Sequence, residues 1–184
     1  MRIRSRLAVL ATIPALALGV GLATAAAGSA ATTNISFKSS AGNGAHWNAD
    51  HTALVLVMNN ANASPGQGGV NGGYAIAFLH GTPSALPGSE PTFNATNYAS
   101  GTPRMDIFLS NGEYFFVYPD RTWQFNNSTG TVDSGSSADW STKAVADADS
   151  QTVTQVFIVA DASQPVPYTS TVDSVVYAGT TYVP

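Results

Sequence analysis

Aromatic side chains with polar neighbours are the residues of this sequence best suited to binding a ligand. Tyr118, Asp120, Arg121 and Trp123 lie within one short stretch, and Trp47 lies in a second stretch rich in Asn and His. An indole or phenol ring can stack on a sugar ring while neighbouring carboxylate and guanidinium groups bind its hydroxyls. We therefore predict that these five residues contribute to a ligand site.

The competing interpretation assigns most of these rings to the hydrophobic core, where large aromatic residues usually lie. It is strongest for Trp140, which shares one face of a predicted helix with Ala144 and Ala148. Tyr98 and Tyr114 are further aromatic residues with polar neighbours. The sequence alone does not separate binding rings from core rings.

Carboxylates could hydrolyse a glycosidic bond, a reaction that requires two of them about 5–10 Å apart. The two glutamates are Glu90, in a Pro-flanked loop, and Glu113, directly after an Asn-Gly turn. Asp106 and Asp120 are available as partners, but nothing in the sequence pairs any two of these four residues. Hydrolysis therefore stays an alternative hypothesis, and no catalytic residue is assigned.

Metal-binding residue types form no recognisable pattern. His46, Asp50 and His51 lie close together in a predicted loop, without the spacing of a helical ligand pair. Loop carboxylates such as Asp133 and Asp161 do not follow the ladder of an EF-hand. The absence of cysteine excludes thiol catalysis, zinc–thiolate sites and iron–sulfur clusters. We predict neither a metal site nor a cofactor.

Residues 1–31 have the pattern of a secretory signal peptide: three arginines, a short apolar run and then small residues. A transmembrane anchor would need about 20 strongly apolar residues, whereas this run is shorter and rich in Ala and Gly. We predict cleavage near residues 27–31. The mature chain, residues 32–184, is then a single secreted, extracellular domain that is not inserted in a membrane.

The charge of the mature chain excludes one class of partner. Removing the signal leaves four basic residues against all eleven acidic ones, a formal net charge of −7. Nucleic-acid binding requires clustered Lys and Arg that displace counterions from phosphates, and four scattered cations do not provide this. Charged residues make up only 10% of the chain, so the surface is rich in hydroxyl and amide groups instead.

Short β-branched or aromatic segments separated by Gly, Pro and Asn predict an all-β domain. Residues 34–38 and 171–177 alternate polar and apolar side chains, as half-buried strands do. Residues 52–58 are a continuous apolar run, which predicts a strand covered on both faces. Further strands are predicted at 74–79, 105–109, 113–118, 121–125, 152–160 and 181–183, with loops at 59–73, 81–91 and 130–137. We expect an antiparallel, jelly-roll-like β-sandwich of about eight or nine strands.

Two local features refine this prediction. Asn111-Gly112 separates two apolar runs, which favours a hairpin with a type I′ turn, where both central residues adopt positive φ. Residues 138–149 form the single helical candidate, expected to cover one end of the sandwich as at most one short helix.

The C-terminal part resembles the closing strands of secreted bacterial jelly-roll domains, some of which are carbohydrate-binding modules. The resemblance rests on Trp140 with its short helical stretch and on residues 156–161 and 172–179. It covers about a third of the mature chain and is a strand pattern, so it implies a fold and no site residues.

Three functional hypotheses follow. The first is a secreted, non-catalytic β-sandwich that binds glycan or another extracellular surface through its aromatic residues. The second is a secreted polysaccharide hydrolase that uses a carboxylate pair. The third is a structural or adhesive envelope protein that associates through an exposed sheet edge.

Overall fold

The computed structural model describes residues 34–61 and 72–183. It contains twelve strands in two sheets, with 51% strand and 6% helix, which confirms the prediction of an all-β sandwich. The predicted signal peptide, residues 1–31, lies outside the described residues, as do residues 62–71 of the predicted loop 59–73.

The strands are numbered in the order in which they follow one another along the chain. Their bounds are β1 Ile35–Ser39, β2 Gly44–Trp47, β3 Leu54–Met58, β4 Tyr74–Leu79, β5 Thr92–Ala95, β6 Arg104–Leu109, β7 Tyr114–Val117, β8 Thr122–Asn127, β9 Gly130–Ser136, β10 Val153–Asp161, β11 Tyr168–Tyr177 and β12 Thr180–Val183. Between β9 and β10 lies a short helix, a π-helical turn over Trp140–Ala144 that continues as α-helix over Val145–Asp147. This helix confirms the prediction for residues 138–149.

Both sheets are antiparallel. The larger sheet has the strand order β1-β4-β10-β6-β7-β8-β9, and the smaller has the order β12-β11-β3-β2 with β5 paired to β11. Strands β6 to β9 are neighbours in both sequence and space, joined by short turns. Strand β10 instead lies between β4 and β6, so the sheet is completed by a segment from late in the chain.

The inner faces of the two sheets form one hydrophobic core. On β6, Met105, Ile107 and Leu109 point into this core because alternate residues of a strand face the same side. Trp123 and Trp140 pack edge to face at one end of the core, with ring centroids 6.0 Å apart. Each fully buried side chain of this size contributes about 1.5–3 kcal/mol by leaving water.

The strand count exceeds the expected eight or nine because three strands lack the apolar pattern that marks the others. The predicted loop 130–137 was wrong: Gly130–Ser136 is the edge strand β9, which pairs with β8 although most of its side chains are exposed. Strands β2 and β5 have only four residues each. Strand β3 was predicted to be covered on both faces, but Val55 and Val57 are only partly buried.

The predicted β6–β7 hairpin is confirmed, but its turn is not type I′. Phe108 pairs with Tyr114 across a loop of Ser110, Asn111 and Gly112. Gly112 has φ +88° and Asn111 does not have positive φ, which fits a three-residue loop whose last residue is left-handed.

A two-residue turn with positive φ at both positions lies at the last hairpin, where Tyr177 pairs with Thr180. Ala178 has φ +50° and Gly179 has φ +76°. An alanine in this conformation carries a steric cost that Asn or Gly would reduce, so the sequence does not mark this turn.

Replacing Gly112 with alanine is expected to lower the free energy of unfolding by about 1 kcal/mol, because a Cβ disfavours φ +88°. A Cβ at this position would meet no atom within 4 Å, so the effect is confined to the backbone. Gly88 has equally open space without positive φ, which makes Gly88→Ala the matched control. Urea denaturation measures both variants, and equal destabilisation would contradict this explanation.

Candidate functional site

Five aromatic rings lie side by side on the outer face of the larger sheet. They come from four adjacent strands, and we call them the aromatic strip: Phe78, Phe157, Phe108, Tyr114 and Phe116. Directly paired residues of antiparallel strands place their side chains on the same face. Phe78 pairs with Phe157, and Phe108 pairs with Tyr114. Register thus brings together rings that lie far apart in the sequence.

The rings of the aromatic strip are in continuous contact. The centroids of Phe78 and Phe157 are 5.4 Å apart, those of Phe157 and Phe108 are 5.6 Å apart, and those of Phe108 and Tyr114 are 5.3 Å apart. Phe116 extends the row, 5.0 Å from Tyr114. Phe157 is 1% exposed, whereas the other four rings are partly exposed. With strands about 4.8 Å apart, the row is about 14 Å wide from β4 to β7.

Polar side chains border the aromatic strip. Gln155 pairs with Phe108 and Gln124 pairs with Phe116, so both amides lie on the same outer face as the rings. At the β1 side, the Ser36 hydroxyl and the Nε2 of His80 are hydrogen-bonded at 2.6 Å. The two amides and the hydroxyl carry no formal charge.

A buried ion cluster lies on the same outer face. Arg104 contacts Asp106 through Nε and Asp161 through Nη1, each with an N–O distance of 2.9 Å. All three residues are at most 3% exposed. The Arg104 guanidinium also lies 4.2 Å from the ring centroid of Phe116, which is cation–π distance. The cluster therefore supports one end of the aromatic strip.

Asp106 is the most perturbed carboxyl of this cluster. It lies on β6 between Phe157 on β10 and Phe116 on β7. Burial raises the pKa of Asp106 to about 7; the Arg104 charge lowers this pKa, and the Asp161 charge raises it further. The Oδ2 atom of Asp106 accepts no hydrogen bond from any described residue. A carboxyl with this pKa changes charge near neutral pH.

Three of the five residues predicted for a ligand site come together at one end of the sandwich. The Tyr118 hydroxyl donates to Oε1 of Gln124 at 3.0 Å. The Tyr98 hydroxyl donates to Oδ2 of Asp120 at 3.3 Å, and the Tyr98 and Tyr118 rings are 6.1 Å apart. Arg121 follows Asp120 directly and is paired with Glu90.

The two predicted tryptophans lie elsewhere. Trp123 is 1% exposed, and its Nε1 donates to the carbonyl of Ser136 at 3.0 Å. Its ring belongs to the core and offers no face to a ligand, so the suggested role of Trp123 as a stacking platform is wrong. Trp47 is partly exposed, but it lies on β2 of the smaller sheet beside Phe37 and His51. The structure therefore does not join Trp47 to the other predicted residues.

The two glutamates considered for hydrolysis lie in different surroundings. Oε2 of Glu90 lies 2.9 Å from Nε of Arg121. The negative charge of Asp120 also acts on Glu90. Glu113 instead accepts a hydrogen bond from the Asn111 side chain in the β6–β7 hairpin. The structure does not bring the two glutamates together. Among the described residues, no three His, Asp or Glu side chains are grouped so that they could hold a metal ion.

The aromatic strip was only partly anticipated from the sequence, through Tyr114. The available signal was that β4, β6, β7 and β10 carry apolar side chains at positions facing both sides of the sheet. In a two-layer sandwich only the inner side needs them. The surplus apolar residues on the outer side are the rings of the strip and a small buried cluster formed by Tyr74, Ile76, Phe157 and Val159.

Comparisons with protein-family models, with curated proteins and with solved structures find no match for this chain. Within residues 34–61 and 72–183, no helix has the length and apolar character needed to cross a membrane. Function is therefore inferred from the side chains themselves.

Proposed function

We propose that this chain is an exported, non-catalytic β-sandwich protein that binds a neutral glycan along the aromatic strip. The observation that carries the proposal is the continuous row of five rings across four strands, four of them partly exposed. Solvent-accessible aromatic rings grouped in this way are uncommon on a surface without a binding role. Pyranose rings present apolar C–H faces that stack on such rings.

The surroundings of the aromatic strip favour a neutral ligand. The bordering Gln155 and Gln124 can donate and accept hydrogen bonds with sugar hydroxyls. Three charged groups of this face, Arg104, Asp106 and Asp161, are buried, and Arg104 is paired with both carboxylates. Lys38 is one exposed cation at the edge of this sheet, whereas a polyanion needs several clustered cations and a neutral glycan requires none.

Export is supported by the secretory pattern of residues 1–31, and an extracellular location would bring the domain into contact with polysaccharides. The width of the strip, about 14 Å, suits a chain of a few sugar rings better than a single monosaccharide.

Truncating either end of the aromatic strip is expected to weaken oligosaccharide binding about tenfold, because each ring contributes stacking and buried apolar area. Tyr114→Ala on β7 and Phe78→Ala on β4 remove partly exposed rings from opposite ends. Isothermal titration of residues 32–184 with neutral cello-, xylo-, manno- and chito-oligosaccharides measures the affinities. Trp47→Ala, which removes a partly exposed ring from the other sheet, is the matched control.

Two results would contradict this proposal. Loss of binding in Trp47→Ala with unchanged binding in Tyr114→Ala would place the glycan on the smaller sheet. A dimer in size-exclusion chromatography that dissociates in Tyr114→Ala, without binding to any glycan tested, would assign the aromatic strip to contacts between copies of the chain. That outcome would favour the structural or adhesive hypothesis.

A further inference from the structure

A polar recess lies at one end of the sandwich, apart from the aromatic strip. It has a volume of about 260 Å³ and lies between the loop before β5, the β7–β8 turn and the start of the short helix. Its lining includes Ser89, Glu90, Arg121, Ser137, Trp140 and Ser141. We call it the Glu90 pocket. It is smaller than the sites that enclose drug-sized ligands.

Glu90 is a buried carboxylate with one oxygen unused. Its side chain is 2% exposed, and its Oε2 accepts a hydrogen bond from Nε of Arg121 at 2.9 Å. Its Oε1 is buried and accepts no hydrogen bond from the described residues. Leaving a buried acceptor without a partner is unfavourable, and Glu90 is part of the pocket lining, so a hydroxyl bound in the pocket would satisfy this acceptor. Burial raises the pKa of Glu90, and the hydrogen bond and charge of Arg121 oppose this.

Arg121 supplies donors beside that acceptor. Its side chain is 52% exposed, and within the described residues its guanidinium bonds only through Nε, which leaves both terminal amino groups available. Its backbone is held in the left-handed region, at φ +68°. Two hydrogen bonds hold it there: its N–H donates to the Tyr118 carbonyl, and its carbonyl accepts from the Ser137 N–H, both at 3.1 Å. Non-glycine residues in this conformation cluster at functional sites.

We propose that the Glu90 pocket binds the vicinal diol of a single neutral sugar residue. Each hydroxyl of a diol both donates and accepts. One hydroxyl can donate to Oε1 of Glu90 while its neighbour accepts from a terminal amino group of Arg121. Serine side chains line the same pocket and can bond the remaining hydroxyls. The volume suits one pyranose ring rather than a chain.

The charges around the pocket favour a neutral ligand over an anion. The Glu90–Arg121 pair is neutral overall, and Asp120 is close enough for its negative charge to act on Glu90. A phosphate or a free carboxylate would bind Arg121 only against these two carboxylates. This site is independent of the aromatic strip and does not require the function proposed for the strip.

The test uses methyl β-D-glucopyranoside, methyl α-D-mannopyranoside and methyl β-D-galactopyranoside, titrated into residues 32–184 and followed by NMR. The resonances of the Arg121 side-chain Nε–H and the Trp140 indole N–H report on the pocket. We expect saturable shifts of both with at least one sugar, with a Kd on the order of 1 mM. We expect Glu90→Gln to raise that Kd at least tenfold. Glu113→Gln, the same change at the other glutamate, should leave it unchanged.

Three results would overturn the proposal: no saturable shift with any of the three sugars, equal affinity in wild type and Glu90→Gln, or displacement of the sugar by inorganic phosphate. If Glu90→Gln fails to fold, Arg121→Met tests the same site, because Arg121 is half exposed. An unchanged sugar affinity in Arg121→Met would also overturn the proposal. This test is separate from the test of the aromatic strip. The resonance shifts that a monosaccharide causes at Arg121 do not depend on Tyr114 or Phe78.

Discussion

Replacing Arg104 with methionine is expected to lower the free energy of unfolding by about 3–5 kcal/mol at pH 8. Arg104 is the cation that faces Asp106 and Asp161, and both carboxylates are 0% exposed. Removing it leaves two carboxyl groups close together in a water-poor environment without a cation, where each must be either ionised and poorly solvated or protonated at pH 8, and both are costly. The substitution also removes the cation that lies over the Phe116 ring.

The matched control is Lys143→Met, which also removes a cation. Lys143 lies 3.9 Å from Asp133, and the two side chains are 50% and 35% exposed. Exposed pairs of this kind contribute about 0–1 kcal/mol, so this variant should be close to wild type in urea denaturation. Adding Asp106→Asn to Arg104→Met should recover part of the lost stability, because one of the two buried charges is removed. Similar losses in Arg104→Met and Lys143→Met would refute this account of the cluster.

Stability is expected to fall as the pH rises from about 4 to about 7, and Asp106 is the cause. Burial raises the pKa of Asp106 in the folded chain to about 7 from an ordinary value of 3.8, with Arg104 lowering it and Asp161 raising it. Between these two pKa values the folded state binds more protons than the unfolded state, so the unfolding free energy decreases with pH. Above about pH 7 this contribution levels off. Three pH units correspond to about 4 kcal/mol as an upper limit.

The measurement is urea denaturation at pH 5 and pH 8 for wild type and Asp106→Asn. Other carboxyl groups titrate in both proteins, so the difference between their pH dependences isolates Asp106. Wild type and Asp106→Asn both contain Arg104 and Asp161, the charged groups that act on residue 106. We expect wild type to lose more stability than Asp106→Asn between the two pH values. Parallel pH dependences would mean that Asp106 is ionised throughout.

Local sequence patterns predicted most strands because alternation and turn residues depend only on neighbouring positions. The continuous apolar run at residues 52–58 and the hairpin around Gly112 were identified in this way. Strand β9 was missed because its Gly, Ser and Thr residues bury little apolar surface; it is held instead by backbone pairing to β8. Backbone hydrogen bonds between strands do not depend on particular side-chain types, so composition does not reveal them.

The error over Trp123 has a different origin. The prediction groups Trp123 with Tyr118, Asp120 and Arg121 because they are close in sequence. Adjacent residues of a strand face opposite sides of the sheet, so Trp123 and Phe125 enter the core while Gln124 lies on the outer face. The polar–apolar alternation from Thr122 onward already contained this information.

The aromatic strip could not be derived from local pattern. Phe78 and Phe157 belong to strands separated by more than seventy residues, and they become neighbours only through the register of β4 against β10. One sequence does not specify register between strands that distant, because many pairings satisfy the same alternation. The Glu90 pocket depends in the same way on how the loop before β5 meets the β7–β8 turn.

The position of β10 has a consequence for biosynthesis. A ribosome releases β4 and β6 long before β10, the strand that hydrogen-bonds to both of them, has been made. Until Val153–Asp161 has emerged, the nascent chain consists of two strand groups with open edges, and such edges pair readily with other chains. The larger sheet therefore cannot be completed until β10 has been made.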